Sequence, residues 1–360
     1  MPAVPVTTGT EAHTMPTPAP VLASSPPTPV EASAPDRAPA AIIPTPDVSV
    51  CIVNWNCRDL LRHCLESLLH HEQGARLEVI VVDNASADGA ADMVACEFPD
   101  VVLICNDRNA GFARANNQAA RLARGRYLFF LNNDTAVPPE TLGQLLDYAE
   151  AHPEVGILAP RLRDARGRVQ RSCRTRPTVA ALLHRTCLLR WTGLFRRAYR
   201  RYRWREEELG QTRQVEVVMG AAMLVRRDHF AACGGWDEDY AFGGEDIDLC
   251  VRVGRAVVFY PAAEVLHHGR VSSRQHAGYA YTNTVIGITR FLRKSGCPRG
   301  ALFTYKLVVT LDAPLDWLGH AVRYVWRRLR GRRRSAARSL LALRGLGHLL
   351  RHGLRTLWSV

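Results

Sequence analysis

Residues 78–89 read Glu78-Val79-Ile80-Val81-Val82-Asp83-Asn84-Ala85-Ser86-Ala87-Asp88-Gly89. Four consecutive β-branched residues make a run too short for a helix and predict a buried strand. The run ends sharply, because Asp83-Asn84 opens a stretch of small and turn-forming residues. The segment therefore predicts a covered strand that delivers a carboxylate and a carboxamide to its carboxyl end.

The same design recurs on both sides. Residues 48–53 form another apolar run that ends in Asn54-Trp55-Asn56, and helical spacing of Leu61, Cys64, Leu65 and Leu68 follows within 58–71. Downstream, the pattern predicts a helix over 87–98, a strand over 101–105 and a helix over 110–122. A strand over 127–131 and a helix over 139–151 complete it, with Pro139 in the first helical turn. Strand and helix alternate four times with short links, which predicts an α/β fold with a mostly parallel central sheet flanked by helices. In such sheets ligands bind beyond the carboxyl ends of the strands. After 160 the rhythm changes to a possible hairpin over 161–173, an irregular arginine-rich stretch over 178–205 and an apolar run over 215–225. A helix over 246–253, a late strand over 257–260 and helices from 279 onward follow.

The four strand ends carry Asn54 and Asn56; Asp83 and Asn84; Asn109-Ala110-Gly111; and Asn132-Asn133-Asp134. Each alone is explained by the preference of Asn and Asp for turns and helix caps; four on one sheet edge point to a polar ligand. A carboxylate such as Asp83 can accept from a flat base or ribose hydroxyls, although no Gly-x-Gly-x-x-Gly accompanies it. Asp134, on a short turn before Pro138-Pro139, suits a Mg²⁺ or Mn²⁺ ion held by one carboxylate and diphosphate oxygens. Such an ion would neutralise charge on a departing nucleotide. Further on, Gly234-Gly235-Trp236-Asp237 and Gly243-Gly244-Glu245-Asp246 bracket a loop dense in acids, glycines and aromatics. Capping of the next helix accounts for Glu245-Asp246 structurally; the functional reading makes Asp246 a general base with Glu245 raising its proton affinity. His267 and His268 are candidate metal or diphosphate ligands, of which an extended segment turns only one toward a site.

Taken together, Val-Ile-Val-Val-Asp-Asn-Ala-Ser-Ala-Asp-Gly (79–89), Asn-Ala-Gly-Phe-Ala-Arg-Ala-Asn-Asn (109–117), Leu-Asn-Asn-Asp-Thr (131–135) and Gly-Gly-Glu-Asp-Ile-Asp-Leu-Cys-Val-Arg (243–252) resemble the inverting family 2 glycosyltransferases of GT-A fold, in particular their bacterial rhamnosyltransferase-like branch. The resemblance runs from about residue 48 to 273. It implies a nucleoside-diphosphate sugar donor, dTDP- or UDP-linked, a glycan or lipid-linked acceptor, and work in cell-wall or polysaccharide synthesis. By position it implies that Asn54, Asn56, Asp83 and Asn84 line the nucleotide pocket, and that Asn109, Gly111 and Asn116 shape the donor pocket. Asn132-Asn133-Asp134 stands where the family has Asp-x-Asp, leaving Asp134 with His267 or His268 for the metal. Asp246 matches the catalytic base beside Glu245, and Trp236-Asp237 continue the pocket wall. Two other readings share these residues: a nucleotidyl transferase, and a non-enzymatic membrane-surface or nucleic-acid-binding protein that reuses the fold.

The formal charge is +13, but it is localised. Sixteen arginines face four acids over 161–213, and eleven arginines face none from 317 to the end, so the remainder is acidic. Two leucine-rich amphipathic stripes in the tail (Leu318, Val322, Val325, Leu329; Leu343, Leu346, Leu350, Leu354, Leu357) predict contact with an anionic membrane surface or packing on the domain. No nucleic-acid module accompanies the basic segments, which disfavours that partner. The expected organisation is a disordered Pro/Ala/Thr-rich extension over 1–46, a catalytic domain over 47–275 with a basic acceptor-side insert at 161–213, and a helical basic region over 276–360. The N-terminus shows no secretory pattern and no run reaches a membrane-spanning length. The ten cysteines show no Cys-x-x-Cys pair, and Cys51 and Cys105 are expected in the core. The expected location is cytoplasmic, on the inner face of the membrane.

Overall fold

In the computed structural model, residues 45–202, 209–269 and 276–360 are described, and residues 45–360 belong to one compact unit. Most of the 1–46 extension, residues 203–208 of the basic insert and residues 270–275 after the histidines lie outside the described residues.

The chain opens with β1 (Val48–Asn54), α1 (Arg58–Leu69), β2 (Leu77–Asp83), α2 (Ala90–Glu97), β3 (Val102–Cys105), α3 (Phe112–Leu122) and β4 (Tyr127–Asn132). Next come β5 (Thr135–Ala136), α4 (Thr141–Ala151), β6 (Val155–Arg163), β7 (Cys173–Arg174), α5 (Val179–Leu183) and α6 (Arg196–Tyr202). The remainder holds β8 (Arg213–Val215), β9 (Val217–Val218), β10 (Ala222–Arg226), α7 (Arg227–Ala232), α8 (Glu245–Arg252) and β11 (Ala256–His267). Among the described residues the main sheet runs β3-β2-β1-β4-β10-β6-β11-β5, with β8 also on β11. β1 to β4 are mutually parallel, β10 is antiparallel to β4 and β6, and β11 is parallel to β6.

Both faces of the sheet are covered, which is why its inner strands are continuous apolar runs rather than alternating ones. The pleat deals Val50, Ile52, Val79, Val81 and Phe129 to a core shared with α1, α2 and α4. It deals Cys51, Ile80, Val82, Leu128 and Phe130 to a second core with α3, α8 and Trp236. β3 is an edge strand, so Cys105 is exposed; the expectation that it packs inside is corrected, whereas Cys51 is buried.

The expected parallel α/β sheet with flanking helices is therefore present, and its extra strands are the surprise. β6 escaped the sequence reading because Gly156 and Pro160 break its apolar run. β11 continues well past the expected 257–260 because a register shift between Tyr260 and Glu264 carries the strand over Pro261, which has no N–H for the ladder.

The carboxyl-terminal helices are α9 (Ala277–Lys294), α10 (Arg299–Leu329), α11 (Arg333–His348) and α12 (Leu354–Ser359), with one π turn between the last two. The two leucine stripes part company here. In the second stripe Leu346 and Leu357 are buried and Leu343, Leu350 and Leu354 half-buried, whereas Leu318, Val322, Val325 and Leu329 stay exposed on α10. Replacing Leu346 by Ala should cost about 2–5 kcal/mol in urea unfolding. Leu329→Ala, at a position 82% exposed, should stay within about 0.5 kcal/mol.

Candidate active site

Strand register sets the first part of the site. Asn54, the last residue of β1, lies level with Asp83, the last of β2, and Val53 lies level with Asn132 of β4. Three polar strand ends are thus brought side by side. Asn54 Nδ2 donates to Asp83 Oδ1 at 3.0 Å, and Asn133 Nδ2 donates to Asn54 Oδ1 at 2.7 Å. Asp83 Oδ2 accepts from the Ser86 N–H at 2.8 Å, an Asx turn that fixes the carboxylate. Asn54, Asp83, Asn84 and Asn133 are all nearly excluded from solvent, so Asn84-Ala85-Ser86 and Asn133-Asp134-Thr135, which match the Asn-x-Ser/Thr glycosylation pattern, are not surface sites.

Asn56 Oδ1 accepts from the Ala87 N–H at 2.8 Å, tying the first strand end to the second. Asn84 Oδ1 accepts from Asn106 Nδ2 and from the Ala110 N–H, which anchors the loop that carries Asn109. Asn109 itself is exposed and its Oδ1 accepts from the Gly111 N–H at 2.9 Å. Gly111, at φ +86°, starts α3 in a conformation that disfavours a Cβ. Asn116 is buried and donates to the Phe112 carbonyl, a contact within its own helix.

The second part centres on Asp134 and His267, which β5 and β11 bring together by pairing Thr135 with His267. His267 Nε2 lies 3.3 Å from Asp134 Oδ1, and both side chains are almost fully buried. Gln170 fixes the ring: its Nε2 donates to the His267 carbonyl at 2.6 Å, so its Oε1 faces Nδ1 at 2.8 Å and accepts the proton there. His267 Nε2 is then left as an acceptor, with Asn132 Nδ2 at 3.4 Å. An acceptor nitrogen and a carboxylate oxygen facing each other out of water suit a shared cation, and orientation of a metal-binding imidazole by its other nitrogen is the usual arrangement. His268 is exposed, and only its backbone N–H reaches the Asp134 carbonyl. Among the described residues no group of three or more His, Cys, Asp or Glu side chains is placed to hold a metal. A two-residue site fits Mg²⁺ or Mn²⁺ only with oxygens supplied by a ligand.

The third part is the loop before α8. Asn132 N donates to the Ala221 carbonyl, which sets Gly220 beside this edge, and a Cβ on Gly220 would stand 3.5 Å from Asp246 Cβ and 3.7 Å from the Trp236 ring. Asp246 opens α8, its Oδ1 accepting from the Ile247 N–H, and Arg174 Nη2 lies 3.2 and 3.4 Å from its two oxygens. Trp236 is buried against Phe112 and Phe130, beneath the loop rather than in an open wall. Asp237 pairs with Lys294 of α9, which also holds Asp239 at 2.9 Å. Farther along α9, Tyr279 Oη donates to the Ala241 carbonyl, and Gly287 lies so near that a Cβ there would stand 1.7 Å from the Gly243 carbonyl oxygen. The loop that presents Asp246 therefore rests on the carboxyl-terminal helices.

Neighbouring Glu245 and Asp246 differ in environment. Glu245 Oε2 is sealed from solvent and finds no hydrogen-bond partner among the described residues. Burial, and then the Asp246 charge, push the Glu245 carboxyl well above its ordinary value. The raised carboxyl stands beside the residue read as the general base. Sequence reasoning missed Gln170, Arg174 and the α9 contacts. Gln170 and Arg174 sit in a stretch with no periodic pattern, and the α9 contacts join segments some 40 to 60 residues apart.

Residues 49–233, half of the chain, match glycosyl transferase family 2. The chain belongs to that family. Its sequence is 33% identical over 208 residues to the N-acetylglucosaminyl-diphospho-decaprenol L-rhamnosyltransferase of Mycobacterium tuberculosis, covering 53% of this chain and 66% of the relative. It is 30% identical to the O-antigen biosynthesis protein RfbC of Myxococcus xanthus over 65% of this chain and 18% of that one. The chain thus spans just under two thirds of the mycobacterial relative and less than a fifth of the myxobacterial one. Among solved structures, a mannosyltransferase of Pyrobaculum calidifontis in complex with GDP-Man and Mn²⁺ aligns at TM-score 0.48 and 18% identity, covering 86% of this chain and 88% of that one.

A carboxyl whose folded value is raised favours the fold below its ordinary value of 4.5, and that contribution is lost as the pH rises. Glutamine keeps the neutral shape without the proton. The melting temperature of Glu245→Gln should therefore gain on that of the unaltered protein between about pH 5 and pH 8; parallel curves would contradict a buried neutral Glu245.

Proposed function

We propose that this family 2 member is an inverting glycosyltransferase that moves L-rhamnose from a dTDP- or UDP-linked donor to a hydroxyl of a lipid-linked glycan. The observation that carries the reading is the contiguity of three sets of side chains along one sheet edge: Asp83 with Asn54, Asp134 with His267, and Asp246 beyond Gly220. The rhamnosyl donor and lipid-linked acceptor are supported by the name of the mycobacterial relative.

Asp83, Asn54 and Asn56 then hold the nucleoside, and the Asn84–Gly111 turn borders the sugar. Asp134 and His267 would hold a divalent cation, whose chemistry there would be neutralisation of negative charge on a diphosphate. Gln170 keeps His267 Nε2 available as a ligand. Asp246 takes the proton of the acceptor hydroxyl while its oxygen bonds to the anomeric carbon and the bond from that carbon to the diphosphate breaks. Glu245, kept neutral beside it, adds no second charge to the base. Asp246→Asn should lower kcat by about 10²–10⁴ while a nucleotide-sugar still raises the melting temperature; normal turnover would remove Asp246 from this role.

The reading includes attachment to the inner face of the cell membrane through α10. Among the described residues no helix is long and apolar enough to cross a membrane. Phe303, Leu307, Leu311, Leu315, Leu318, Val322, Val325 and Leu329 instead form one stripe, each 40–82% exposed, about 39 Å long at 1.5 Å per residue. The chain from 317 on carries eleven arginines and no acid. A second copy of α10 laid on this stripe would meet like charge, whereas anionic headgroups complement it. Cosedimentation with vesicles containing phosphatidylglycerol should fall several-fold in the triple variant Leu318→Asn, Val322→Asn, Leu329→Asn; unchanged binding would contradict attachment through α10.

A further inference from the structure

Arg174 contradicts a simple view of Asp246 as a waiting base. A cation beside a carboxylate favours the charged form and opposes uptake of a proton, yet Arg174 covers both Asp246 oxygens. The pair is loose. Its contacts of 3.2 and 3.4 Å are longer than those by which Arg163 grips Glu264 at 2.6 and 2.7 Å, and charge-assisted pairs usually close to about 2.7–2.9 Å. Only Nη2 is used. Nε and Nη1 find no hydrogen-bond partner among the described residues, so most of a five-donor fork remains free.

Position explains the arrangement. Arg174 ends β7, which pairs with Val217-Val218, and the Ser172 carbonyl accepts from the Met219 N–H beside Gly220. The guanidinium therefore reaches Asp246 from the basic segment. Its side chain is 34% exposed against 14% for Asp246. Glu245, Asp246, Tyr202 and Cys250 are the titratable groups that face it. A half-used, half-buried fork bound to the group that must later accept a proton has the form of a cation held for a second anion.

We propose that Arg174 is a phosphate-operated switch on the base: it holds Asp246 while the acceptor site is empty and turns its free fork to a phosphate of the acceptor when that arrives. The inference rests on the proposed glycosyltransferase reading and deepens it, since it makes an anionic group next to the acceptor sugar part of what the enzyme recognises. A neutral acceptor sugar then leaves Arg174 on Asp246 and reacts poorly. Arg174 is here a positioning residue, acting on the reaction through Asp246.

The test measures binding apart from turnover. Binding of a short-chain prenyl diphosphate is followed by calorimetry with metal chelated and no donor present, so that the cation site does not contribute. Arg174→Met should weaken it about 10–100-fold, the range for hydrogen bonds to charged groups, and Arg174→Lys should weaken it less. Asp246→Asn, which releases the guanidinium, should bind at least as tightly as the unaltered protein. Unchanged affinity in Arg174→Met, or a loss in Asp246→Asn equal to that in Arg174→Met, would overturn the proposal, the latter marking the pair as merely structural. Inorganic pyrophosphate serves as the second arm: equal dependence on Arg174 is expected, because the chemistry recognised is the phosphate, and independence from Arg174 would overturn it. Failure of sugar transfer with these affinities intact would count against the glycosyltransferase reading and leave the anion switch standing.

Discussion

One carboxamide holds the site together. Asn54, completely buried, donates to Asp83 and accepts from Asn133, so a single side chain fastens the ends of β1 and β2 to the turn that follows β4. Each partner is itself out of water, and a buried polar group left without its partner costs about 1–3 kcal/mol. The exchange is reciprocal: Asp83 is fixed because Asn54 and the Ser86 N–H engage it, and Asp134 is placed because Asn133, its neighbour, is anchored. A ligand that reaches this edge meets groups already oriented, and preorganisation of that kind lowers the cost of binding.

The second organising feature is electrostatic sorting. Glu245 and Asp246 are adjacent in sequence, yet one is sealed without a partner among the described residues and the other stands at the start of α8 with an arginine against it. Two neighbouring carboxyl groups are thereby given different surroundings. The loop that carries both rests on α9 through Tyr279, Gly287 and Lys294. Residues 277–294 lie outside the family match of 49–233, so this chain supports the loop before α8 with helices beyond the matched region. Those helices continue into the exposed apolar face of α10, so that face and the candidate base belong to one compact unit.

Much of this was legible in the sequence where a local rule applied. The first four strands and their helices follow from apolar runs that end in Asn or Asp, and the positions of Asn54, Asp83 and Asp134 on the carboxyl edge follow from a parallel sheet. The two histidines divide as an extended segment requires, His267 inward and His268 outward. What stayed hidden depends on long-range pairing. β10 enters between β4 and β6 by a topology that no local pattern encodes. Cys105 sits in an apolar run like Cys51, and only strand order tells the edge from the interior. The leucine stripes of α10 and α11 look alike in sequence, and packing alone decides that one is core and the other surface. Gln170 lies within the hairpin expected over 161–173 and Arg174 directly after it, where side-chain contacts rather than periodicity assign a role.

The most direct check of the shared cleft is the thermal shift produced by dTDP or UDP with and without Mn²⁺, in the unaltered protein and in Asp134→Asn. A ligand that binds only the folded state raises the melting temperature in proportion to its affinity. The account predicts a clear rise for the unaltered protein when nucleotide and Mn²⁺ are present together, and little rise when the metal is withheld or Asp134 is replaced. An equal rise in all of these conditions would place the diphosphate away from Asp134 and His267 and contradict the shared cleft.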